Sequence, residues 1–140
     1  MNIRTITSLD VTQLLPLYSQ LTNTSQPSQI FIDTFFDALK SPFHNIFVYE
    51  IDNQIIGAAT LLVELKLTHG GSRVGHIEEV VVDTRYRRKG IGKMLVQHII
   101  AEAKRLGCYK VILDCGNDVK NFYESCGLKG KGCCMGVYFE

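Results

Sequence analysis

Residues Arg87-Arg88-Lys89-Gly90-Ile91-Gly92-Lys93 join the apolar run Val80-Val81-Val82 to a helical pattern that starts at Met94. A strand that ends in a basic, glycine-bearing turn and opens a helix points several backbone N–H groups one way. The first turn of a helix leaves these donors unpaired, and the positive end of the helix dipole adds to them, so together they form an anion site. Gly90 and Gly92 carry no Cβ to hold an anion away. The segment is therefore read as a grip for a phosphorylated ligand.

Two common phosphate loops do not fit. A Walker loop needs Gly, four residues, then Gly-Lys-Ser/Thr, whereas Gly92-Lys93 is followed by Met94. The dinucleotide fingerprint lacks its third glycine and the acidic residue about 20 positions on. The spacing Arg-x-x-Gly-x-Gly instead resembles the acetyl-CoA pyrophosphate loop of the GNAT acetyltransferases. A plain basic helix cap is the competing reading of these residues taken alone.

Composition narrows the setting. The chain has 140 residues, enough for one domain with a real core, and the reading is a single domain over residues 1–140. Hydrophobic residues make up 46% and charged residues 21%, which is globular rather than disordered. Fifteen basic residues against fourteen acidic give no reason to expect nucleic acid; the basic cluster at 85–93 is local and suits a small phosphorylated molecule. Residues 1–4 show no signal-peptide core, and no apolar run reaches membrane-spanning length, so a cytoplasmic protein is expected. Cys108, Cys115, Cys126, Cys133 and Cys134 are odd in number and contain no Cys-x-x-Cys, which argues against a disulfide framework or a zinc site; no metal is expected. Nothing in the sequence gives the pair Cys133-Cys134 a role.

Patterning predicts an opening strand at 2–7 and a first helix capped by Ser8 or Asp10. That helix carries Val11, Leu14, Leu15, Leu17, Tyr18 and Leu21 and is delayed or kinked by Pro16. A second helix runs from 29 to 40. Strands at 45–51 and 54–65 form a hairpin around Asp52-Asn53, and a further strand runs from 75 to 83. A long helix ends near Gly107, a short strand covers 109–114, a helix covers 117–126, and a closing strand covers 133–139. Strands first in a meander and then separated by helices imply an α/β (α+β) domain: a mixed sheet covered by helices on both faces. The turn after the 75–83 strand lies where such sheets usually place ligands.

Several separated segments strengthen the resemblance. They are Gly75-His76-Ile77-Glu78-Glu79-Val80-Val81-Val82, the basic turn, Gly107-Cys108-Tyr109-Lys110-Val111-Ile112-Leu113-Asp114-Cys115, and Phe122-Tyr123-Glu124-x-Cys126-Gly127. In order and spacing they resemble the glucosamine 6-phosphate branch of the GNAT acetyltransferases, closely over residues 54–130 and loosely before that. The resemblance implies the GNAT fold, with a mostly antiparallel sheet. It implies acetyl transfer from acetyl-CoA to the 2-amine of glucosamine 6-phosphate, a step toward UDP-N-acetylglucosamine, and a homodimer whose subunits both border each active site.

The residue chemistry can be argued beside that resemblance. An amine with a pKa near ~8 is partly neutral at cellular pH, so holding it against a thioester supplies much of the acceleration. Asp114, at a strand end, either holds the amine and accepts its proton or caps a turn. The resemblance assigns the first role to Asp114 and the Leu113 carbonyl. Tyr123 either donates a hydrogen bond to the departing sulfur or fills the core; the resemblance assigns it to the sulfur. Val80, Val81 and Val82 would hold the pantetheine arm as an added strand, and Arg87, Arg88, Lys89, Gly90, Ile91, Gly92 and Lys93 would hold the pyrophosphate. Glu78 and Glu79 are neighbours, so both can face a substrate only if the strand bulges. The resemblance places them on sugar hydroxyls and amine, where Glu-Asp is usual. It also puts Thr22, the Lys66–His69 segment (Lys66 and His69) and Tyr109-Lys110 beside the substrate.

Two departures stand out. Tyr138 occupies the place of an arginine that grips the substrate phosphate in the family, and tyrosine brings no charge. Arg73 is the expected substitute. Val119 stands where asparagine is common. The rival readings are a GNAT enzyme for another small amine, a non-catalytic acyl-CoA-binding module, and a ping-pong enzyme using Cys115.

Overall fold

The structure, a computed structural model, describes residues 2–139. A five-stranded sheet runs in sequence order: β1 (Ile3–Thr5), β2 (His44–Ile51), β3 (Gln54–Lys66), β4 (Ser72–Val82) and β5 (Lys110–Ile112). The first four strands pair antiparallel and β5 joins β4 in parallel. The helices are α1 (Val11–Tyr18), α2 (Gln29–Ala38), α3 (Ile91–Arg105) and α4 (Lys120–Ser125), with 3-10 turns at Ser8–Asp10, Thr84–Tyr86 and Asn117–Val119. No helix among the described residues is long and apolar enough to cross a membrane.

Two cores line the two faces of the sheet, and β2 shows why. Ile46 and Val48 join Leu14 and Leu17 of α1, while Phe47 joins Leu95, Val96 and Ile99 of α3. Strict alternation of this kind buries both faces of a strand. The alternation then breaks twice, each time at a bulge. Gly57 pairs with Tyr49 but Ile55 with Glu50, so Ile56 is an extra residue, and Ile55 and Ala58 share the α1 face although three positions apart. On β4, Glu78 pairs with Thr60 and Val81 with Ala58, so Glu79 and Val80 together oppose Ala59. Ile77 therefore faces α3 and Val81 faces α1, a reversal that period-two spacing forbids. Glu79 takes a left-handed conformation, φ 49°, at this bulge.

Local chemistry sets the helix ends. Ser28 caps α2 by accepting from the Phe31 N–H at 3.1 Å. Pro16 lies inside α1, but the helix is not delayed: it starts at Val11 and stops at Tyr18, short of the Leu21 that the pattern included. The hairpin turns at Asp52 and Asn53, both with positive φ, as read from the sequence. The 117–126 helix divides into a 3-10 turn and the six-residue α4.

The closing strand at 133–139 does not form within this chain. Those residues carry no regular secondary structure, and Met135, Val137, Tyr138 and Phe139 stand exposed. The β propensity is there, but the described chain offers no edge that pairs with it, and a strand cannot stand alone in water.

A charge cluster ties the first strand to the first helix. Arg4 reaches Asp10 with both Nη atoms, at 2.8 and 2.9 Å, and Glu50 at 2.9 Å. Asp10 is buried and also accepts from the Thr7 N–H at 2.7 Å, so the Arg4 guanidinium and these donors hold its carboxyl below the usual range. Asp83, also buried, is lowered to about 2 by Arg85. Carboxylates depressed in this way stabilise the fold above their unfolded value, near 3.9, and lose that contribution as pH falls through the folded value. The melting temperature should hold from pH 8 to about 4 and then fall toward pH 2, with Asp83→Asn removing part of the acid loss. At pH 7 Asp10→Ala should cost about 2 kcal/mol by urea unfolding.

Candidate active site

The parting of β4 from β5 creates the site. Their pairing runs only from Val74↔Lys110 to His76↔Ile112. Beyond it β4 continues through Ile77–Val82 with its far edge unpaired, while the other chain turns away through Leu113 and Asp114 into the turn at Asn117. An open strand edge is a template for an extended, amide-bearing ligand. The bulge lies on this stretch, and Glu78 and Glu79 are both exposed there. The condition on which two adjacent glutamates can serve one substrate is met.

At the end of β4 the chain turns sharply into α3. Asp83 begins the turn: its N–H donates to the Ile56 carbonyl at 2.8 Å, and its carboxylate accepts from the Arg85 N–H at 2.9 Å. The Arg85 side chain closes on the same carboxylate at 3.2 and 2.9 Å. Arg87 Nε donates to the Val82 carbonyl at 3.0 Å, and Lys89 lies over the Tyr86 ring at 5.3 Å. Arg88 (φ 64°) and Gly90 (φ 80°) both adopt the left-handed region. Gly90 is the N-cap of α3, and a Cβ built on it meets nothing within 4 Å. The helix N-terminus therefore opens onto clear space at Gly90, with Arg88, Lys89 and Lys93 close by in sequence, an arrangement that suits an anion.

Gly92 has a different job from the one its spacing suggests. A Cβ there would lie 3.0 Å from Phe122 Cζ and 3.5 Å from Val82 Cγ2. The missing side chain lets α4 dock on the start of α3, and α4 carries Tyr123. Tyr123 is half-buried in an edge-to-face pair with Phe122 at 4.9 Å. Burial, with smaller contributions from Cys115 and Cys126, raises its pKa, so the phenol keeps its proton through neutral pH. Asp114 is exposed at the mouth of the parting, one residue beyond half-buried Leu113. The Cys134 thiol of the C-terminal segment lies against the Asp114 carboxylate, which raises the thiol's pKa. The Val119 departure lies in the turn just before α4.

The predicted acceptor residues divide. His69 and Tyr109 stack with ring centroids 4.8 Å apart, and Lys110 lies over the Tyr109 ring at 5.5 Å. These three come together from distant parts of the sequence. Lys66 is paired with Glu64 at 3.3 Å, and Glu64 also binds His76 at 2.9 Å. Thr22 ends the turn after α1, its N–H donating to the Tyr18 carbonyl at 3.0 Å.

Arg73 has partners of its own. Its Nη1 donates to the Leu106 carbonyl at 2.7 Å, at the end of α3, and its guanidinium lies over Phe43 at 5.0 Å. It clips β4 to α3. Gly107, just past the end of α3, takes the left-handed conformation at φ 83°, and a Cβ there would stand at ordinary contact distance, 3.6 Å, from Nη1. Sequence reading also missed the Asp83 clamp, although Asp-Thr-Arg after an apolar strand is a cap signal. Among the described residues no cluster of three or more His, Cys, Asp or Glu is placed to hold a metal, and all five cysteines are free.

Known proteins share this architecture. The family model described as acetyltransferase (GNAT) family matches residues 10–128. Glucosamine 6-phosphate N-acetyltransferase of Arabidopsis thaliana is 38% identical over 130 residues, covering 90% of this chain and 87% of that one. The enzyme of the same name from Trypanosoma brucei brucei is 34% identical over 131 residues, covering 92% and 89%. The crystal structure of the Arabidopsis enzyme superposes with a TM-score of 0.92 at 36% identity, covering 99% and 97%.

Two glycine variants separate the two roles found here. Gly90→Ala forces a left-handed alanine and should weaken coenzyme A binding by about tenfold, at roughly 1–2 kcal/mol of strain. Gly92→Ala should leave that binding closer to wild type and lower kcat instead, because it displaces α4 and Tyr123. Calorimetry with coenzyme A and steady-state kinetics read the difference.

Proposed function

Because this chain belongs to the acetyltransferase (GNAT) family, we propose that it transfers the acetyl group of acetyl-CoA to the 2-amine of glucosamine 6-phosphate. It is an acetyltransferase, and enzymes of this family use acetyl-CoA as co-substrate. The acceptor rests on the relatives bearing that name across nearly the whole chain. The observation that carries the site is the unpaired edge of β4 running straight into the Gly90 helix N-terminus. The pantetheine arm lies along Val80, Val81 and Val82, with backbone N–H and C=O groups pairing to its amides. Residues Arg87–Lys93 take the pyrophosphate.

The amine's lone pair forms the new C–N bond at the thioester carbonyl, the C–S bond breaks, and the electron pair leaves on sulfur. Asp114, supported by the Leu113 carbonyl, holds the amine and takes the proton that nitrogen releases. Tyr123 donates a hydrogen bond to the sulfur as its charge grows. Glu78 and Glu79 take sugar hydroxyls at the bulge. His69, Tyr109 and Lys110 form the phosphate end with Thr22 and Lys66, so the missing C-terminal arginine is covered by Lys110 and His69 rather than by Arg73. The product feeds UDP-N-acetylglucosamine synthesis.

The enzyme acts in the cytoplasm as a homodimer. Free cysteines fit a reducing compartment. The apolar segment Met135, Val137, Tyr138 and Phe139 is exposed in one chain, as are Ile30 and Phe31 of α2, and a second copy covers such surface. Light scattering should give twice the mass of one chain, and removal of residues 133–139 should return it to one.

A thiol-release assay over a panel of amines tests the reaction. Brisk turnover is expected with glucosamine 6-phosphate; turnover only with a polyamine or peptide lysine would reject that acceptor. Asp114→Ala and Tyr123→Phe should each lower kcat by about 10²-fold, whereas Cys115→Ala should keep full activity. Since the Tyr123 pKa is raised above its ordinary value of 10.0, loss of its proton should not limit kcat below pH 10.

A further inference from the structure

One side chain links the donor turn to the acceptor segment. Gln20 follows α1, and its Oε1 accepts from the Thr84 N–H at 2.9 Å across 64 residues of sequence. Its amide lies near the Asp83 carboxylate and adds, after Arg85, to what holds that carboxyl below its usual range. Thr84 and Asp83 are the first residues of the turn that leads into the Gly90 helix N-terminus, and Asp83 is buried and clamped by Arg85. Two residues past Gln20 stands Thr22, within the same hydrogen-bonded turn: Thr22 N–H donates to Tyr18 and Gln20 N–H to Leu17, both at 3.0 Å.

The other end of α1 is held in the same manner. Gln13 Oε1 accepts from the Ile55 N–H at 2.8 Å, and its amide donates to the Asn53 carbonyl at 3.2 Å. The helix is thus pinned to the rigid β2–β3 hairpin at its start and to the donor turn at its end. Among the described residues one side-chain hydrogen bond, from the Thr84 N–H to Gln20, joins the turn at 83–89 to the Thr22 segment. An exposed glutamine whose oxygen satisfies a main-chain donor 64 residues away is a poor choice for mere solvation and a good one for fixing distance.

We infer that Gln20 is a positioning residue that couples occupancy of the donor turn to order in the acceptor segment, so that bound coenzyme raises affinity for the amine. The inference deepens the function proposed above and rests on it. Gln20 touches neither substrate. Filling the pyrophosphate site fixes the 83–89 turn, Thr84 N–H holds Gln20, and Gln20 holds the turn that presents Thr22. The return path is equal by thermodynamic necessity: bound acceptor tightens coenzyme A by the same factor.

The test is a binding cycle without turnover. Calorimetry gives the Kd of glucosamine 6-phosphate alone and with saturating coenzyme A. Wild type should show a gain of about 5–50-fold, within the usual range of coupling. Gln20→Met, close in size but unable to accept from the Thr84 N–H, should reduce the gain below about twofold. Thr84→Pro should do the same by deleting the N–H, at a position where proline suits the start of a turn and Asp83 (ψ 132°) tolerates it. The double variant should lose no more than either single one, because both remove one link. In steady state Gln20→Met should raise the acceptor KM with kcat within about threefold of wild type.

An absent gain in wild type, or an undiminished gain in both variants, overturns the inference. So does a fall in melting temperature with kcat reduced and the gain intact, which marks a purely structural residue. If wild type binds coenzyme A but no glucosamine 6-phosphate, the proposed acceptor fails instead. The same cycle then runs on the amine that turns over, and the same outcomes decide.

Discussion

The rest of this molecule depends on β4 and β5 separating after a three-residue pairing. Main-chain N–H and C=O groups are obligatory hydrogen-bonding groups, and a strand whose edge is left open must find partners in water or in a ligand. Here that edge belongs to a long central strand with both side-chain faces buried, so it cannot move to satisfy itself. The bulge at Glu79 reinforces the opening. It adds a residue, reverses the faces, and turns two adjacent glutamates outward at the point where the strands part. The open strand edge, the acidic pair and Asp114 are thereby brought near one another by backbone geometry.

The two helices beside the opening are tied to it by different means. Packing holds α4: Gly92 lets the Phe122 ring sit against the start of α3, and Tyr123 follows from that contact. Packing of Leu14 and Leu17 on the sheet also holds α1, and hydrogen bonds through Gln13 and Gln20 fix its two ends. A packed contact fixes position strongly and transmits strain; a single hydrogen bond holds weakly enough to be biased by ligand.

Charge is also distributed by purpose. Arg4 and Arg85 are spent on the buried carboxylates Asp10 and Asp83, and Arg73 on the carbonyl at the end of α3. That leaves Arg88, Lys89 and Lys93 near the helix N-terminus and Lys110 beside the His69–Tyr109 stack. Arg73 shows how a cation of the right type, in the right loop, can be committed elsewhere by a partner that only folding brings near.

Much of this was legible in the sequence. The strand–basic turn–helix pattern, the hairpin at Asp52-Asn53 and both buried faces of the sheet follow from local spacing and turn chemistry, which act over a few residues. The motif around Asp114 and Tyr123 was legible too, because family resemblance preserves order along the chain. What only the tertiary structure decided are relations between residues far apart: the second role of Gly92, the capture of Arg73 by Leu106, the reach of Gln20 to Thr84. The fate of residues 133–139 is of the same kind, for alternation confers the capacity to be a strand while only a neighbouring edge makes one. Local propensity is written in the sequence one residue at a time, whereas a contact needs two segments and the fold that brings them within a few ångströms.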